Sequence, residues 1–231
     1  MFDWIFRRNE LDDDPTAFIG TDGILMTAGD GFLNETHVIS NLGWRSVDAL
    51  CIGDRVLTFD NGMRPIIEIQ RETLQFGSVA LPKHLWPVLV PKGALLNRRE
   101  IMVAPDQGVF LESDLVSDTR GDPFAVVPAR SLVGFRDIDQ ERPSQDMVLT
   151  TLGFAQDEVV YAEGGMLAYC PKARQILSDD ADDLTQAYNV LSQPEAVELI
   201  ARLQGHEDET QIGWRTEEIM ALRTDRPGRP A

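Results

Sequence analysis

The sequence contains few of the residues that metal sites and disulfide frameworks require, with two cysteines and three histidines among 231 residues. Cys51 and Cys170 are far apart in the chain, and neither stands at a metal-ligand spacing from a histidine. Two isolated cysteines exclude a disulfide framework, and we expect no metal ion and no other cofactor. Cysteine usage leaves the redox state of the compartment open.

Basic residues are also few. The chain has 21 Lys and Arg against 38 Asp and Glu, which gives a net charge of −17. This balance argues against nucleic-acid binding, since neutralising phosphates takes an excess of clustered basic side chains. The sequence has no P-loop, no Gly-x-Gly-x-x-Gly, no Gly-x-Ser-x-Gly and no His-Glu-x-x-His motif. Several classes of nucleotide-binding and hydrolytic enzyme are therefore not expected.

Long hydrophobic runs are missing as well. The first 14 residues begin with an aromatic stretch that charged residues interrupt at once. This segment has neither the apolar core of a signal peptide nor the length of a membrane-spanning helix. We expect no membrane span, and a location in the cytoplasm or export without a leader. Apolar residues still make up 43% of the chain, enough for one sizeable core.

What the sequence does contain is a series of short β-branched runs separated by turn residues. Runs of this length and spacing are typical of an all-β sandwich or barrel-like body. We predict strands at 36–40, 55–59, 66–69, 88–90, 101–103, 109–111, 125–127, 148–152 and 159–161.

One hairpin is predicted more closely than the rest. Asn61-Gly62 lies between the runs 56–60 and 63–67, and this dipeptide suits the two positive-φ positions of a type I′ turn. Pro65 predicts that the second strand lies at the edge of a sheet, because proline cannot donate a ladder hydrogen bond.

The pattern changes to helix after residue 171. Ser192-Gln-Pro-Glu195 has the form of a capping box, and Val197, Ile200 and Ala201 follow at helical spacing. A second helix is predicted at 182–191, preceded by an acidic run that suits a helix amino terminus.

The most informative segment is 31–59, which combines several features in a fixed order. A strand is followed by a glycine-containing turn, two apolar residues three apart, and a Gly-Asp pair that leads into the next strand: Gly43-Trp44-Arg45, Val47 and Leu50, Gly53-Asp54. This order resembles the opening of bacterial Hint domains, the Hedgehog/intein autoprocessing family. Two later blocks, 97–111 and 157–170, resemble the middle and closing blocks of the same family.

The resemblance implies an all-β, horseshoe-like Hint fold. It divides the chain into an N-terminal extension at 1–23, a Hint domain at 24–172 and a helical acidic C-terminal extension at 173–231.

The residues at the family's catalytic positions depart from its chemistry. In active Hint domains a first-position Cys or Ser attacks the preceding carbonyl, but the aligned residue here is Gly31, which has no side-chain nucleophile. The middle block usually offers a Thr or Ser and, three residues later, a His that protonates the leaving nitrogen, whereas this chain has Ala104 and Gln107.

The closing block departs in the same way. Splicing members end on His-Asn before a Cys, Ser or Thr, and these positions hold Ala168, Tyr169 and Cys170. Only the cysteine matches. The three departures together imply a domain that keeps the fold and has lost the reaction.

Three residues remain as weak catalytic candidates. Cys170 stands where splicing relatives carry a second nucleophile, although packing is the commoner role of a free cysteine. At Asp30-Gly31 and Asp122-Pro123 an aspartate carboxyl can attack its own peptide carbonyl, although both dipeptides are also ordinary turn sequences.

Two further residues are expected to have structural roles. Cys51, between Leu50 and Ile52, is expected in the core. His37, beside Thr36, is placed where it can reach the cleft that holds the active site in catalytic relatives. A strand histidine is nevertheless more often a surface or hydrogen-bonded residue.

Three hypotheses follow. The first is a Hint-fold protein without autoprocessing that serves as a binding or structural module. The second is self-processing by autoproteolysis or a splicing-like route through Asp30, Asp122 or Cys170. The third is recruitment of a protein partner by the terminal helices, through the apolar stripe 197–201, with the Hint body as scaffold.

Overall fold

A computed structural model describes residues 17–19, 25–27, 30–74, 82–113, 115–116, 123–143, 147–173 and 188–204. Within them the backbone forms mostly short β-strands, together with one α-helix and three short segments of 3-10 helix. The strands are β1 (Ala17–Ile19), β2 (Leu25–Thr27), β3 (Phe32–Leu33), β4 (His37–Ser40), β5 (Gly43–Ser46), β6 (Arg55–Thr58), β7 (Gly62–Pro65), β8 (Glu68–Leu74), β9 (Val88–Val90), β10 (Ile101–Val103), β11 (Gly108–Glu112), β12 (Phe124–Pro128), β13 (Asp139–Gln140), β14 (Met147–Gly153), β15 (Glu158–Ala162) and β16 (Met166–Cys170). The helix is α1 (Gln193–Leu203), and the 3-10 segments are Val47–Ala49, Lys83–Leu85 and Ala129–Leu132.

The strands form two large antiparallel sheets and one small one. A six-stranded sheet has the order β13-β9-β10-β3-β14-β8. The larger sheet runs β12-β11-β16-β15-β4-β6-β7, with β5 paired to β4, and β1 and β2 form a separate pair. The prediction of an all-β protein is confirmed.

The main apolar core takes side chains from both large sheets. Phe32 of β3, Val103 of β10 and Val160 of β15 are all almost fully buried in it. Leu199 and Ile200 of α1 belong to the same cluster. The helix therefore packs as part of the body.

Eight of the nine predicted strands agree with observed strands to within one residue at each end. The ninth prediction, 66–69, is wrong in its bounds, because the strand is Glu68–Leu74. Ile66 is buried just before it, and the Ile67 N–H donates to the carbonyl of Gly153 at 2.9 Å. The turn predicted at residues 43–45 is centred earlier, at residues 41–42, and Gly43, with a φ of +94°, is the first residue of β5, which pairs with β4.

The hairpin between β6 and β7 forms, but its predicted turn type is wrong. Thr58 pairs with Gly62, so the connection has three residues, and among the described residues of this loop only Gly62 has positive φ, at 66°. The Asn61 side chain donates to the Glu158 carboxylate at 3.0 Å. A three-residue connection with glycine in the left-handed region is the next commonest hairpin type. Pro65 lies at the sheet edge, as predicted.

The helix predicted from its capping box is confirmed as α1. The Glu195 carboxylate accepts from the Ser192 N–H at 2.9 Å and from its hydroxyl at 2.5 Å. The predicted apolar stripe 197–201 is wrong, because Val197 is 50% exposed. The buried face is made by Ala196, Leu199, Ile200 and Leu203.

The second predicted helix is not observed where the structure describes it. Residues 182–187 lie outside the described residues, and the remainder, 188–191, is not helical. Here the Val126 N–H donates to the carbonyl of Asn189 at 2.8 Å, and Leu191 N–H donates to the carbonyl of Val126 at 2.9 Å. The segment lies parallel to β12 with Val190 beside Val126. The β-branched Val190 and its hydrogen-bonded neighbours favour an extended backbone over the predicted helix.

No helix in the described part of the chain is long and apolar enough to span a membrane.

Candidate functional site

Gly31, at the family's nucleophile position, lies where a side chain would be strained and tightly packed. Its φ is +151°, and a Cβ built on it would lie 2.9 Å from Leu149 Cδ1 and 3.1 Å from the Thr150 carbonyl oxygen. Both neighbours belong to β14, which pairs with β3 immediately after Gly31. The position therefore lacks a nucleophile, and a nucleophilic side chain there would require its neighbours to shift.

The two middle-block residues lie at the turn between β10 and β11. Ala104 is buried and offers no polar atom. Gln107 is 1% exposed, and its Nε2 donates to the carbonyls of Tyr169 at 2.8 Å and Gly108 at 2.9 Å. A neutral amide held by two backbone acceptors ties β16 to β11, and it cannot supply a proton to a leaving amine as histidine does.

The closing-block residues lie at the end of β16. Ala168 is fully buried and Tyr169 is half-buried. Cys170 is buried, and burial raises the pKa of its thiol well above the usual range, with the charges of Asp30 and Glu158 acting in the same direction. Because the thiolate is the nucleophilic form, burial disfavours the reactive state of Cys170.

Some of these positions border an open cleft of about 700 Å³ between the two large sheets. The charged side chains along its walls are Asp30, Glu68, Glu72, Asp106, Arg130 and Lys172. Arg130 is ion-paired with Asp106 at 2.8 Å and also donates to the Gln193 side chain at 3.0 Å. The other charged side chains, Asp30, Glu68, Glu72 and Lys172, leave the cleft acidic in balance.

The structure thus brings together part of the predicted set. Asp30 and Tyr169 line the cleft, and the Asp30 carbonyl accepts a hydrogen bond from the Thr151 hydroxyl at 3.0 Å. Cys170 is adjacent in sequence but enclosed in the core. Asp122 lies outside the described residues.

His37 belongs to a separate cluster and does not line the cleft. Glu163, 5% exposed, accepts from the His37 backbone N–H at 2.6 Å and from Arg99 Nε at 2.9 Å. The hydrogen bond to Glu163 raises the pKa of Arg99. His37 Nδ1 lies 2.5 Å from Arg99 Nη2 and 3.2 Å from the Glu163 carboxylate. The cluster fixes the turn between β15 and β16 against β4.

The prediction that Cys51 lies in the core is wrong. Leu50 fills the core position at 1% exposure, and the chain then turns outward so that Cys51 and Ile52 are exposed. The Cys51 N–H donates to the Asp54 carboxylate at 2.9 Å. Asp54 is in turn paired with Arg45 at 3.0 Å, which fixes this turn at the surface.

Among the described residues, no group of three His, Cys, Asp or Glu side chains is arranged to hold a metal ion.

Sequence reasoning missed the acidic wall of the cleft. Glu68, Gln70 and Glu72 all line it from β8. Their alternate spacing is the signal that indicates one face of a strand, but carboxylates are too numerous in this chain for any pair to stand out.

Comparison with protein-family models gives one match, to the Hint domain, over residues 30–168. No curated protein matches the chain. Solved structures similar to it include three at 12% sequence identity: a splice-inactive variant of the AceL NrdHF class 3 split intein, a bacterial intein-like domain from Clostridium thermocellum, and the gp41-1 intein. Their TM-scores are 0.43, 0.41 and 0.38, and the matches cover 63%, 61% and 62% of this chain and 100%, 99% and 99% of the respective structures.

Proposed function

The chain belongs to the Hint domain family, and from this premise we propose that it is a member without autoprocessing that serves as a binding or structural module. The domain takes up about residues 24–172, with an extension at 1–23 and an acidic one at 173–231.

The observation that carries the proposal is Gly31, which offers no nucleophile. Its φ of +151° and the tight contacts that a Cβ would make with Leu149 and the Thr150 carbonyl disfavour any side chain at this position. Gln107 and Cys170 support the same proposal, because one is a neutral amide held by backbone carbonyls and the other is a buried thiol with a raised pKa.

One observation favours the alternative, self-processing by a different route. Asp30 lies in the open cleft, immediately before Gly31. Attack of its carboxyl on its own peptide carbonyl would break the bond to Gly31 and release the Gly31 amine, with an anhydride left for water to open. This route needs no side chain at residue 31.

Intact-mass spectrometry of the full chain separates the two. We expect an unchanged mass after incubation across a range of pH, with and without thiol and calcium. A defined shorter product would overturn the proposal, and its new terminus would name the bond. Asp30→Ala and Cys170→Ser, incubated in parallel, would then identify the group responsible, because only loss of the reacting side chain abolishes the product.

A further inference from the structure

Strand β8 is an outer strand of the six-stranded sheet in the described part of the chain. It pairs with β14 along all seven of its residues, from Glu68 opposite Gly153 to Leu74 opposite Met147. The sheet order ends on β8, so its other edge pairs with no described strand. Most of its side chains are exposed or half-buried. An exposed strand of this length presents backbone N–H and C=O groups that can pair with a further strand.

The two faces of β8 differ in chemistry. Glu68, Gln70 and Glu72 face the cleft, at intervals of about 7 Å, the repeat of alternate residues on a strand. On the other face Ile69 packs on the main core. Arg71 donates to the carbonyls of Val47 and Leu50, at 3.1 and 2.8 Å, and so anchors the strand to the body.

The cleft beside this row is acidic in balance. Asp30 adds a carboxylate, whereas Arg130 is already paired with Asp106. A ligand strand beside β8 would place alternate side chains about 5 Å from Glu68 and Glu72, the distance of directly opposed cross-strand pairs. Opposite charges at such positions stabilise the pairing, and like charges destabilise it.

We propose that the outer edge of β8 and the acidic cleft beside it form a docking site for an extended segment of a partner protein that carries Lys or Arg at every second position. The segment adds as a strand to β8, with its basic side chains along Glu68 and Glu72. The residues of the segment that lie between these basic positions are β-branched or apolar, because they are on the same face of the sheet as Ile69. This inference rests on the proposed role as a binding module and gives that module a class of partner.

Charge selects a basic partner over a second copy of this chain. Two copies paired through β8 would bring acidic side chains together, in a protein whose net charge is already −17. Strand addition also accounts for specificity, because the backbone supplies affinity and the alternate side chains select the sequence.

The test uses the full chain and a short fluorescein-labelled peptide in which Lys and Val alternate, with binding followed by fluorescence anisotropy at low and at physiological ionic strength. We expect saturable binding that is weaker at higher salt. The double variant Glu68→Lys/Glu72→Lys should bind this peptide at least about tenfold more weakly. It should in turn bind a peptide of alternating Glu and Val, which the unmodified chain does not.

The matched control is Glu141→Lys/Glu198→Lys, which changes the net charge equally at two exposed positions that do not line the cleft. It should bind the Lys-Val peptide as the unmodified chain does, apart from a small general effect of net charge. Equal weakening in the two double variants would overturn the site. Circular dichroism and the melting temperature verify folding, and Glu68→Gln/Glu72→Gln removes the charge if the lysine variant fails to fold.

A second peptide, N-methylated at alternate backbone nitrogens, tests strand addition itself. Methylation leaves the lysines in place but removes backbone donors, so we expect weaker binding. Equally tight binding would overturn strand addition, as would no binding of the parent peptide. Failure of this inference can be distinguished from failure of the proposed function. Absence of peptide binding leaves the intact mass unchanged, whereas self-cleavage shortens the chain whether or not a peptide binds.

Discussion

At Gly31, backbone conformation and packing act together on one residue. Its φ of +151° already disfavours a side chain, and a Cβ would meet Leu149 Cδ1 at 2.9 Å and the Thr150 carbonyl oxygen at 3.1 Å, so its neighbours would have to shift. We predict that Gly31→Cys, which restores a nucleophile to the family's first position, causes no cleavage and lowers the free energy of unfolding by about 2 kcal/mol or more. Urea unfolding and intact mass measure the two effects.

Gly43→Ala is the control for this substitution. Gly43 also has positive φ, at 94°, but a Cβ there would meet nothing within 4 Å. It should therefore cost only the backbone term, about 1 kcal/mol. If both variants lost the same stability, the packing argument at Gly31 would be wrong.

The two cysteines should differ sharply in reactivity. Cys51 is exposed, whereas burial raises the pKa of Cys170, and nearby acidic charges add to this effect. At about pH 8 we predict that a disulfide reagent such as Ellman's reagent titrates one thiol in the folded protein and two in denaturant. In Cys51→Ser the folded protein should give almost no reaction, and rapid labelling of Cys170 in that variant would contradict the buried geometry.

At the residue scale, the sequence alone predicted which catalytic side chains are missing better than it predicted where each side chain lies. The loss of the nucleophile could be read from Gly31 itself, but the tight packing around it depends on Leu149, which is distant in the chain. The apolar neighbours of Cys51 suggested burial, yet only Leu50 faces the core. Side-chain direction in a short turn depends on the hydrogen bonds of Asp54, which no local pattern indicates.

Helix α1 packs through a face that its sequence pattern did not identify. Leu199 is 5% exposed in the main core, whereas Val197 is 50% exposed on the opposite side. We predict that Leu199→Ala lowers the free energy of unfolding by about 2 to 4 kcal/mol. Val197→Ala should change it by no more than about 0.5 kcal/mol. Urea unfolding of both variants measures the difference, and equal losses would contradict the orientation of the helix.

Elements with buried β-branched residues could be predicted almost to the residue, because short β-branched runs bounded by turn residues are typical of strands. Strand β8 could not, since its polar, largely exposed side chains do not mark it as core. The turn predicted at residues 43–45 is centred at residues 41–42, and Gly43 closes this hairpin with a φ of +94° as the first residue of β5. The segment 188–191 was taken for helix, although its backbone hydrogen bonds are made to β12.

At the scale of the whole molecule, the many acidic residues of the chain include one that is buried, Glu158. This residue is 1% exposed, and burial raises the pKa of its carboxyl, although hydrogen bonds and Arg64 act in the opposite direction. A raised pKa means that the folded protein binds this proton more tightly than the unfolded chain. Lower pH therefore favours folding at this site, and stability falls as pH rises above the ordinary value of 4.5.

We predict that the unmodified chain loses stability relative to Glu158→Gln as pH rises from 4.5 through the raised pKa, after which the difference becomes constant. Urea unfolding of both proteins across this range measures it. A difference independent of pH, or one that grows in favour of the unmodified chain at higher pH, would contradict the direction of the shift.

The overall fold could be predicted because several blocks of the sequence occur in the order of one family. The cleft could not, because its walls come from distant parts of the chain, among them Asp30, Glu68, Asp106 and Lys172. No local pattern indicates that these residues share one opening. The prediction of lost autoprocessing therefore depends on the residue types in the sequence, whereas the inference of a docking site depends on the three-dimensional arrangement of the cleft.

The contact of residues 189–191 with β12 also bears on aggregation. Strand β12 reads Phe-Ala-Val-Val-Pro, with no charge and a high β-propensity, and such segments nucleate intermolecular sheets when their edge is open. Val126 directs its backbone N–H and C=O away from β11, and Asn189 and Leu191 bind both. The chain thus covers this edge of β12 with its own backbone, so a truncation that removed this cover would leave the edge open to pairing with a second copy.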